Sequence, residues 1–477
     1  MAGASRAKQV GLGVGALAMI NVAAIVSVRN LPVMAEYGWS MLVLFAISIL
    51  VFLIPIAMVA AELGTGWPRE GGVFAWVKEA FGARTGFLAV WCDYSENLAW
   101  FPTVLSFMAA TLAYAINPDL ASNSTYLVTV MLIFFWLTTL LNLRGVRASA
   151  LLGSLGTIAG SILPAVLVVG LGIAYLVRGD HSQIPFSGHA LVPDLQLSNL
   201  AFLGGIILLF TGMEMAGFHA RDTRNPGRDI PRSIALAVVI IIVFSVLGSL
   251  FLAVVLPQKE IGLVSGTMQL FQSVLGTFHA SWLVAPLAIL IAAGGIAHLS
   301  PWILGPAKGM AEVARQGHAP AALGKENAAG VPVMSLIFQG IGGTVFSLLF
   351  LLVPDVSTSY WMLSAVTAQI VIIMYGLMFA AVIRLRYSQP DTPRPYRIPG
   401  GKFGVWLVCG TGLLGCVISF ILGFIPPSQL KTGNHLVYVG LLALAVIVLT
   451  APPFVIQLFG RRSRREARIA IAVPAEG

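Results

Sequence analysis

The sequence predicts an all-α polytopic membrane protein of twelve transmembrane helices, and three observations carry that reading. Hydrophobic residues make up 58% of the 477 residues and charged residues only 10%, with a mean hydropathy of +0.90. An average soluble domain carries about 25% charged residues. Apolar runs of about 20 residues, each enough to cross a hydrocarbon core, nearly consume the chain. Lys and Arg gather in alternate loops between those runs, which is the charge pattern of a topologically oriented membrane protein.

The runs fall at roughly 10–31, 40–63, 86–116, 125–143, 151–177, 198–219, 231–256, 281–305, 333–353, 358–384, 404–425 and 436–459, separated by loops of Pro, Gly, Asn and charged residues. The first carries Asn21, Ser27, Arg29 and Asn30 and leads straight into the second, so it does not read as a cleavable leader. The second ends at Trp67-Pro68-Arg69-Glu70-Gly71-Gly72. The third holds Asp93-Tyr94-Ser95-Glu96-Asn97-Leu98-Ala99-Trp100, and Arg144 and Arg147 separate the fourth from the fifth. The sixth contains Thr211-Gly212-Met213-Glu214-Met215-Ala216-Gly217 and runs on into Asn225-Pro226-Gly227-Arg228-Asp229. The eighth holds His298 and Trp302, and the segment Arg384 to Lys402 joins the tenth to the eleventh. Residues 1–460 therefore form one twelve-span domain, and 461–477 a short basic tail.

With both termini cytosolic, 24 of the 28 Lys and Arg residues face inward, leaving Arg29, Arg178, Lys259 and Lys431 outside. The net charge of +9 then reflects topology and not nucleic-acid binding. The tail Arg461-Arg462-Ser463-Arg464-Arg465 suits contact with anionic lipid headgroups. Cys92, Cys409 and Cys416 lie inside spans and imply no disulfide framework. Neither a phosphate-cradling Gly-x-x-x-x-Gly-Lys-Ser/Thr loop nor a His-Glu-x-x-His pair occurs, so the motifs give no support to ATP hydrolysis or metal-dependent chemistry. No catalytic residue, metal ligand or cofactor is expected, and any transport must run on gradients.

Two interruptions occupy corresponding places if the first ten spans are two inverted five-span repeats. Span one is broken near Asn21 to Asn30, and span six by the glycine-flanked Glu214. A carboxylate in a lipid-spanning segment is costly, and unwound backbone is tolerated there only where it lines a cavity. Paired broken helices mark a midplane site, because helix-end N–H and C=O groups are left free for a ligand's carboxylate and ammonium. The bland alternative is that these glycines only permit close helix packing. A channel would want a polar stripe through several spans, and a nutrient sensor a signalling domain, which the short loops leave no room for.

The loop after span two brings a family resemblance. Ala60-Ala61-Glu62-Leu63 followed by Trp67 to Val77 resembles the signature of the amino acid–polyamine–organocation superfamily, specifically its glutamate/GABA antiporter branch. Gly212-Met213-Glu214, Asn225-Pro226-Gly227-Arg228-Asp229, Trp302-Ile303-Leu304-Gly305-Pro306, Gly330-Val331-Pro332-Val333 and Ile398-Pro399-Gly400-Gly401-Lys402 extend it in order along most of the chain.

The resemblance implies two inverted five-helix repeats plus two further helices, with substrate between broken spans one and six. It further implies that backbone around Ala24, Ile25, Val26 and Ser27 holds an α-carboxylate. The break at Phe210, Thr211 and Gly212 would accept an α-ammonium, Glu214 would be a coupling or gating carboxylate, and Trp302 would shape the inner side of the site or simply pack. The chain departs from relatives at Ile25-Val26-Ser27, where many carry Gly-Ser-Gly. It also departs at His298, where the glutamate/GABA branch is acidic, at Ser154, where some relatives carry lysine, and in a tail too short for a C-terminal plug. Glutamate/GABA exchange is therefore not assumed.

Asp93 and Glu96, three residues apart, share a helix face that Asn97 and Trp100 extend. They either form an amine pocket, through charge pairing and cation–π contact, or neutralise an internal cation such as Arg29. Glu62 and Glu70 read as structural, holding the cytosolic hairpin after span two by capping or by pairing with Arg69 or Lys78. His298 either titrates near neutrality or is a neutral hydrogen-bonded helix residue. The sequence thus predicts a multi-pass secondary transporter in a bacterial inner-membrane setting, moving amino acids or related amines, with the polyamine or cationic amine class as the alternative. Protons are a candidate coupling ion and lipids a contact. Exchange versus symport, direction and oligomeric state stay open.

Overall fold

The computed structural model describes residues 11–457 apart from 69–71, 145–155, 195, 198, 202, 216–222, 354 and 431. Arg69, Glu70, Ser154, the residues 216–217 of the span-six motif and the basic tail therefore lie outside the described residues. Among the described residues the chain is helical, with isolated bridges only, such as Leu12 beside Thr223.

Among the described residues, eleven helical segments are long and apolar enough to cross a membrane: Val14–Ala35, Gly38–Gly66, Ala83–Ile116, Ser124–Asn142, Ile158–Val177, Pro226–Val255, Ser281–Arg315, Val333–Leu352, Val356–Ser388, Gly401–Leu422 and His435–Gln457. They correspond to spans one to five and seven to twelve of the sequence reading. Among the described residues of span six, expected over 198–219, a helix runs over Leu203–Leu209 and gives way to turns at 210–214. Gly212 adopts φ +106°, a left-handed backbone that an L side chain rarely enters, so the helix cannot continue through it.

Local chemistry sets the ends. Asn123 caps span four by accepting from Tyr126 N at 2.9 Å, and Asp355 caps span ten by accepting from Thr358 N at 2.7 Å. Asn434 does the same for span twelve through Leu436 N at 2.8 Å. Each side chain satisfies a backbone donor that the first helical turn leaves without a partner. Span one breaks where Val26 and Ser27 turn extended, at ψ 112° and 125°. It resumes through a tight turn at Val28–Asn30 and a second helix opened by Leu31-Pro32, where proline suits the first helical turn. Thr267 Oγ1 donates to Val28 O at 2.8 Å and Tyr360 OH to Asn30 Oδ1 at 3.0 Å, so neighbouring spans hold the unwound stretch.

Spans three and ten are the most buried and pack on each other, with span eight against span three. Leu50, Ile133, Val177, Leu352, Phe403 and Leu436 are exposed on the outer surface, which presents apolar side chains as lipid contact requires. Cys92, Cys409 and Cys416 are buried free thiols. Spans five and eight cross on glycine: a Cβ on Gly160 would collide with the backbone N of Gly295, and one on Gly156 with the backbone N of His298. Gly156 and Gly160 are four apart, the small-xxx-small spacing that lets membrane helices touch backbone to backbone.

The hairpin after span two corrects one expectation. Glu62 does not pair with Lys78, whose Nζ donates to Gln316 Oε1 at 3.1 Å. Its carboxylate accepts from Arg386 Nε and Nη2, each at 2.6 Å, and from Ile398 N at 2.9 Å. Arg394 Nε stands 3.5 Å from Glu62 Oε1, the oxygen that accepts from Arg386 Nε. Arg394 also lies over Trp67 at 4.9 Å, so the loop after span ten is clamped to the C-terminal end of span two.

Between spans one and two, burial pushes the Glu36 carboxyl up from 4.5 to about 7. The folded state then holds this proton more tightly than the unfolded chain, so folding loses stability as pH rises from about 4.5 through 7. Glu36→Gln is expected to raise the melting temperature in detergent at pH 8, with the gain shrinking at pH 5. An equal gain at both pH values would contradict this origin.

Candidate substrate site

The two breaks meet. A Cβ on Gly212 would stand 3.2 Å from Ile25 Cγ1 and 3.4 Å from Ala24 Cβ, so the unwound part of span six lies directly on that of span one. Beside them is a cavity of about 60 Å³ lined by Ala24, Ile25, Val26, Ser27, Thr211, Glu96, Trp100, His298 and Trp302. Nine of the residues singled out from sequence are thus brought together from spans one, three, six and eight. The volume is far below the roughly 300–1,000 Å³ of a ligand pocket.

Five other candidates sit next to the cavity without lining it. Phe210 is fully buried and packs its ring 6.2 Å from that of Phe45. Gly212 N donates to Tyr375 OH at 2.8 Å, and that hydroxyl donates to Glu214 Oε2 at 3.0 Å. Tyr375 of span ten therefore ties the break to the buried carboxylate. Asn97 Nδ2 donates to Asp93 O at 2.6 Å and to Glu96 Oε1 at 3.1 Å, so it braces span three. Asp93, Glu96 and Glu214 are within electrostatic range of one another, with Arg29 facing Glu96.

Sequence reasoning missed several lining residues. Val104, Phe107, Met108, Ser161, Leu208, Gly160 and Gly295 also line the cavity, and so do Arg29 and Asn30, which the sequence marked as polar interruptions of span one; the Gly156-Gly160 spacing was the available signal for Gly160. Tyr375 carried none, because nothing local distinguishes a tyrosine aimed at a break in another span. Trp302 is half-buried, its ring 5.3 Å from that of Trp100, so it both packs and faces the cavity. His298 Nδ1 shares a hydrogen bond with Thr157 Oγ1 at 2.8 Å across the glycine crossing.

Comparison with known proteins gives the family and the fold. A family model described as amino acid permease matches residues 12–449. An uncharacterized transporter of Legionella pneumophila is 38% identical over 89% of this chain and 91% of its own length. A glutamate/gamma-aminobutyrate antiporter of Lactococcus lactis is 30% identical over 91% of this chain and 87% of its own. A probable agmatine/putrescine antiporter of the same species is 26% identical, covering 82% and 83%. Among solved structures, MhsT in complex with L-phenylalanine superposes with a TM-score of 0.56 at 13% identity, over 85% of this chain and 98% of MhsT, a likeness of fold alone.

Proposed function

Because the chain belongs to the amino acid permease family, within the branch that holds glutamate/GABA antiporters, we propose that it moves its solute by alternating access about the paired breaks of spans one and six. It is a multi-pass secondary transporter of amino acids or amines. The finer reading rests chiefly on one observation, the Ala24–Ser27 and Thr211 breaks lining a single cavity. Backbone groups at Ala24 to Ser27 receive the α-carboxylate, and the carbonyls that end the helix at Phe210 to Gly212 receive the ammonium, as free helix ends favour. Inverted repeats rocking about this point open it alternately to each side.

Glu214 is the coupling carboxylate. Tyr375 links it to Gly212 N, so a change in its charge is transmitted to the break at 2.8 and 3.0 Å steps. Protons are the proposed coupling ion, and transport involves no covalent chemistry. The basic loops favour an inner-membrane protein with both termini cytoplasmic, the 461–477 tail resting on anionic headgroups.

Proteoliposome uptake of labelled amino acids and amines, with and without internal substrate, tests this. Stimulation by internal substrate marks exchange, and uptake driven by an imposed proton gradient marks symport. Glu214→Gln removes the charge at constant shape and is expected to lower uptake at least tenfold or to abolish its pH dependence, with the protein still folded. Full uptake with an unchanged pH profile would remove Glu214 from coupling.

A further inference from the structure

The cavity carries one cation and one carboxylate of its own. Arg29, in the turn that follows the span-one break, is 5% exposed and lines it. Its guanidinium donates to Thr103 Oγ1, and its central carbon lies 5.5 Å from the Trp100 ring centroid. Glu96, 9% exposed, lines the same cavity one turn before Trp100. A guanidinium at membrane depth ordinarily sits against a carboxylate at ion-pair distance, because leaving the charge uncompensated is costly. Arg386 does so on Glu62 at 2.6 Å. Arg29 does not: among the described residues no carboxylate lies within 4.0 Å of it, and Glu96 acts on it only at longer range. Thr103 and Trp100 hold the guanidinium without neutralising it, and its planar fork of donors suits a bidentate carboxylate.

The geometry points to Arg29 as the residue that admits substrates bearing a carboxylate, adding a charge to the backbone groups at Ala24–Ser27 that receive it, with Glu96 adding the opposite charge for the ammonium beside the carbonyls at Phe210–Gly212, so that the cavity takes α- or ω-amino acids and refuses amines that lack a carboxylate. This rests on the transport reading above and narrows its substrate class. An amino acid brings one charge of each sign, and each side chain gains a partner while the loaded site keeps its net charge. A diamine brings a second cation beside a guanidinium that has no carboxylate at ion-pair distance, in a low-dielectric site where like charges repel strongly. Asp93 and Glu214 lie outside the lining, and Glu214 Oε2 already accepts from Tyr375.

Initial uptake into proteoliposomes of the full-length protein is to be measured with labelled L-glutamate, L-leucine, γ-aminobutyrate, putrescine and agmatine. γ-Aminobutyrate and putrescine are close in length and differ in the group at one end, so they isolate the carboxylate. The wild type is expected to take up at least one of the three carboxylate-bearing compounds, and neither putrescine nor agmatine above empty liposomes. Arg29→Gln is expected to weaken that substrate's apparent affinity at least tenfold, with Arg29→Lys recovering part of the loss. Diamine uptake by the wild type matching that of the amino acids overturns the inference and leaves the transport reading standing. So does a folded Arg29→Gln protein with affinity within twofold of wild type. If Arg29→Gln does not fold, the wild-type selectivity alone decides. Uptake of none of the five overturns the transport reading and this inference together.

Discussion

Replacing Glu62 with glutamine is expected to cost about 3–5 kcal/mol of folded stability, the range for removing one partner of a buried ion pair. The carboxylate is 1% exposed and serves two guanidiniums, Arg394 at 0% and Arg386 at 9% exposure. Glutamine would leave both cations buried side by side and would offer one acceptor oxygen where two now receive Arg386 and Ile398 N. The loop after span ten should then lift from span two, exposing Trp67. Thermal unfolding in detergent, with proteolysis of the 389–400 loop, measures both effects. Glu312→Gln supplies the contrast: its bond to Arg315 is of similar length, 2.7 Å, but the side chains are 41% and 48% exposed. Such a surface pair is worth about 1 kcal/mol or less. Equal losses in the two variants would mean that burial does not govern the Glu62 cluster.

The second large effect is expected at the crossing of spans five and eight. A Cβ on Gly160 meets backbone, Gly295 N and Gly294 C, and not the movable end of a side chain. Overpacking typically costs about 1–3 kcal/mol when side chains can adjust. Here the helices themselves must part, so Gly160→Ala should lie at or above that range and Gly160→Leu should prevent recovery of folded protein. Both glycines also line the cavity, so any folded Gly160→Ala protein should have impaired uptake. Gly170→Ala, on the same span with nothing within 4 Å of the new methyl, is the control expected to behave as wild type. Equal yields of Gly160→Leu and the control would show that the crossing tolerates separation.

The depth of legibility differs from residue to residue. The break in span six was readable because Gly212 has a local backbone requirement, φ +106°, that its glycine identity announces. The break in span one was readable from polar residues in an apolar run. The shared face of Glu96 and Trp100 followed from helical spacing, yet Asp93 and Asn97 on the same stretch do not line the cavity, because helix rotation is set by neighbouring spans. Glu62 was recognised as structural but given a neighbour in sequence, whereas its partners come from the far side of span ten, 324 positions away for Arg386.

By itself the sequence determined the class of molecule, the membrane-crossing segments and the places where two of them must unwind. Those properties depend on transfer of apolar side chains into lipid and on backbone preferences, which act residue by residue. Only the tertiary structure decided that Glu62 holds Arg386 and Arg394, that Tyr375 bridges Gly212 and Glu214, that spans five and eight touch through bare backbone, and that Arg29 faces the cavity without a carboxylate at ion-pair distance. Each of these is a contact between segments far apart along the chain. It exists because packing fixes the rotation and depth of one helix against another, a quantity that no single span encodes.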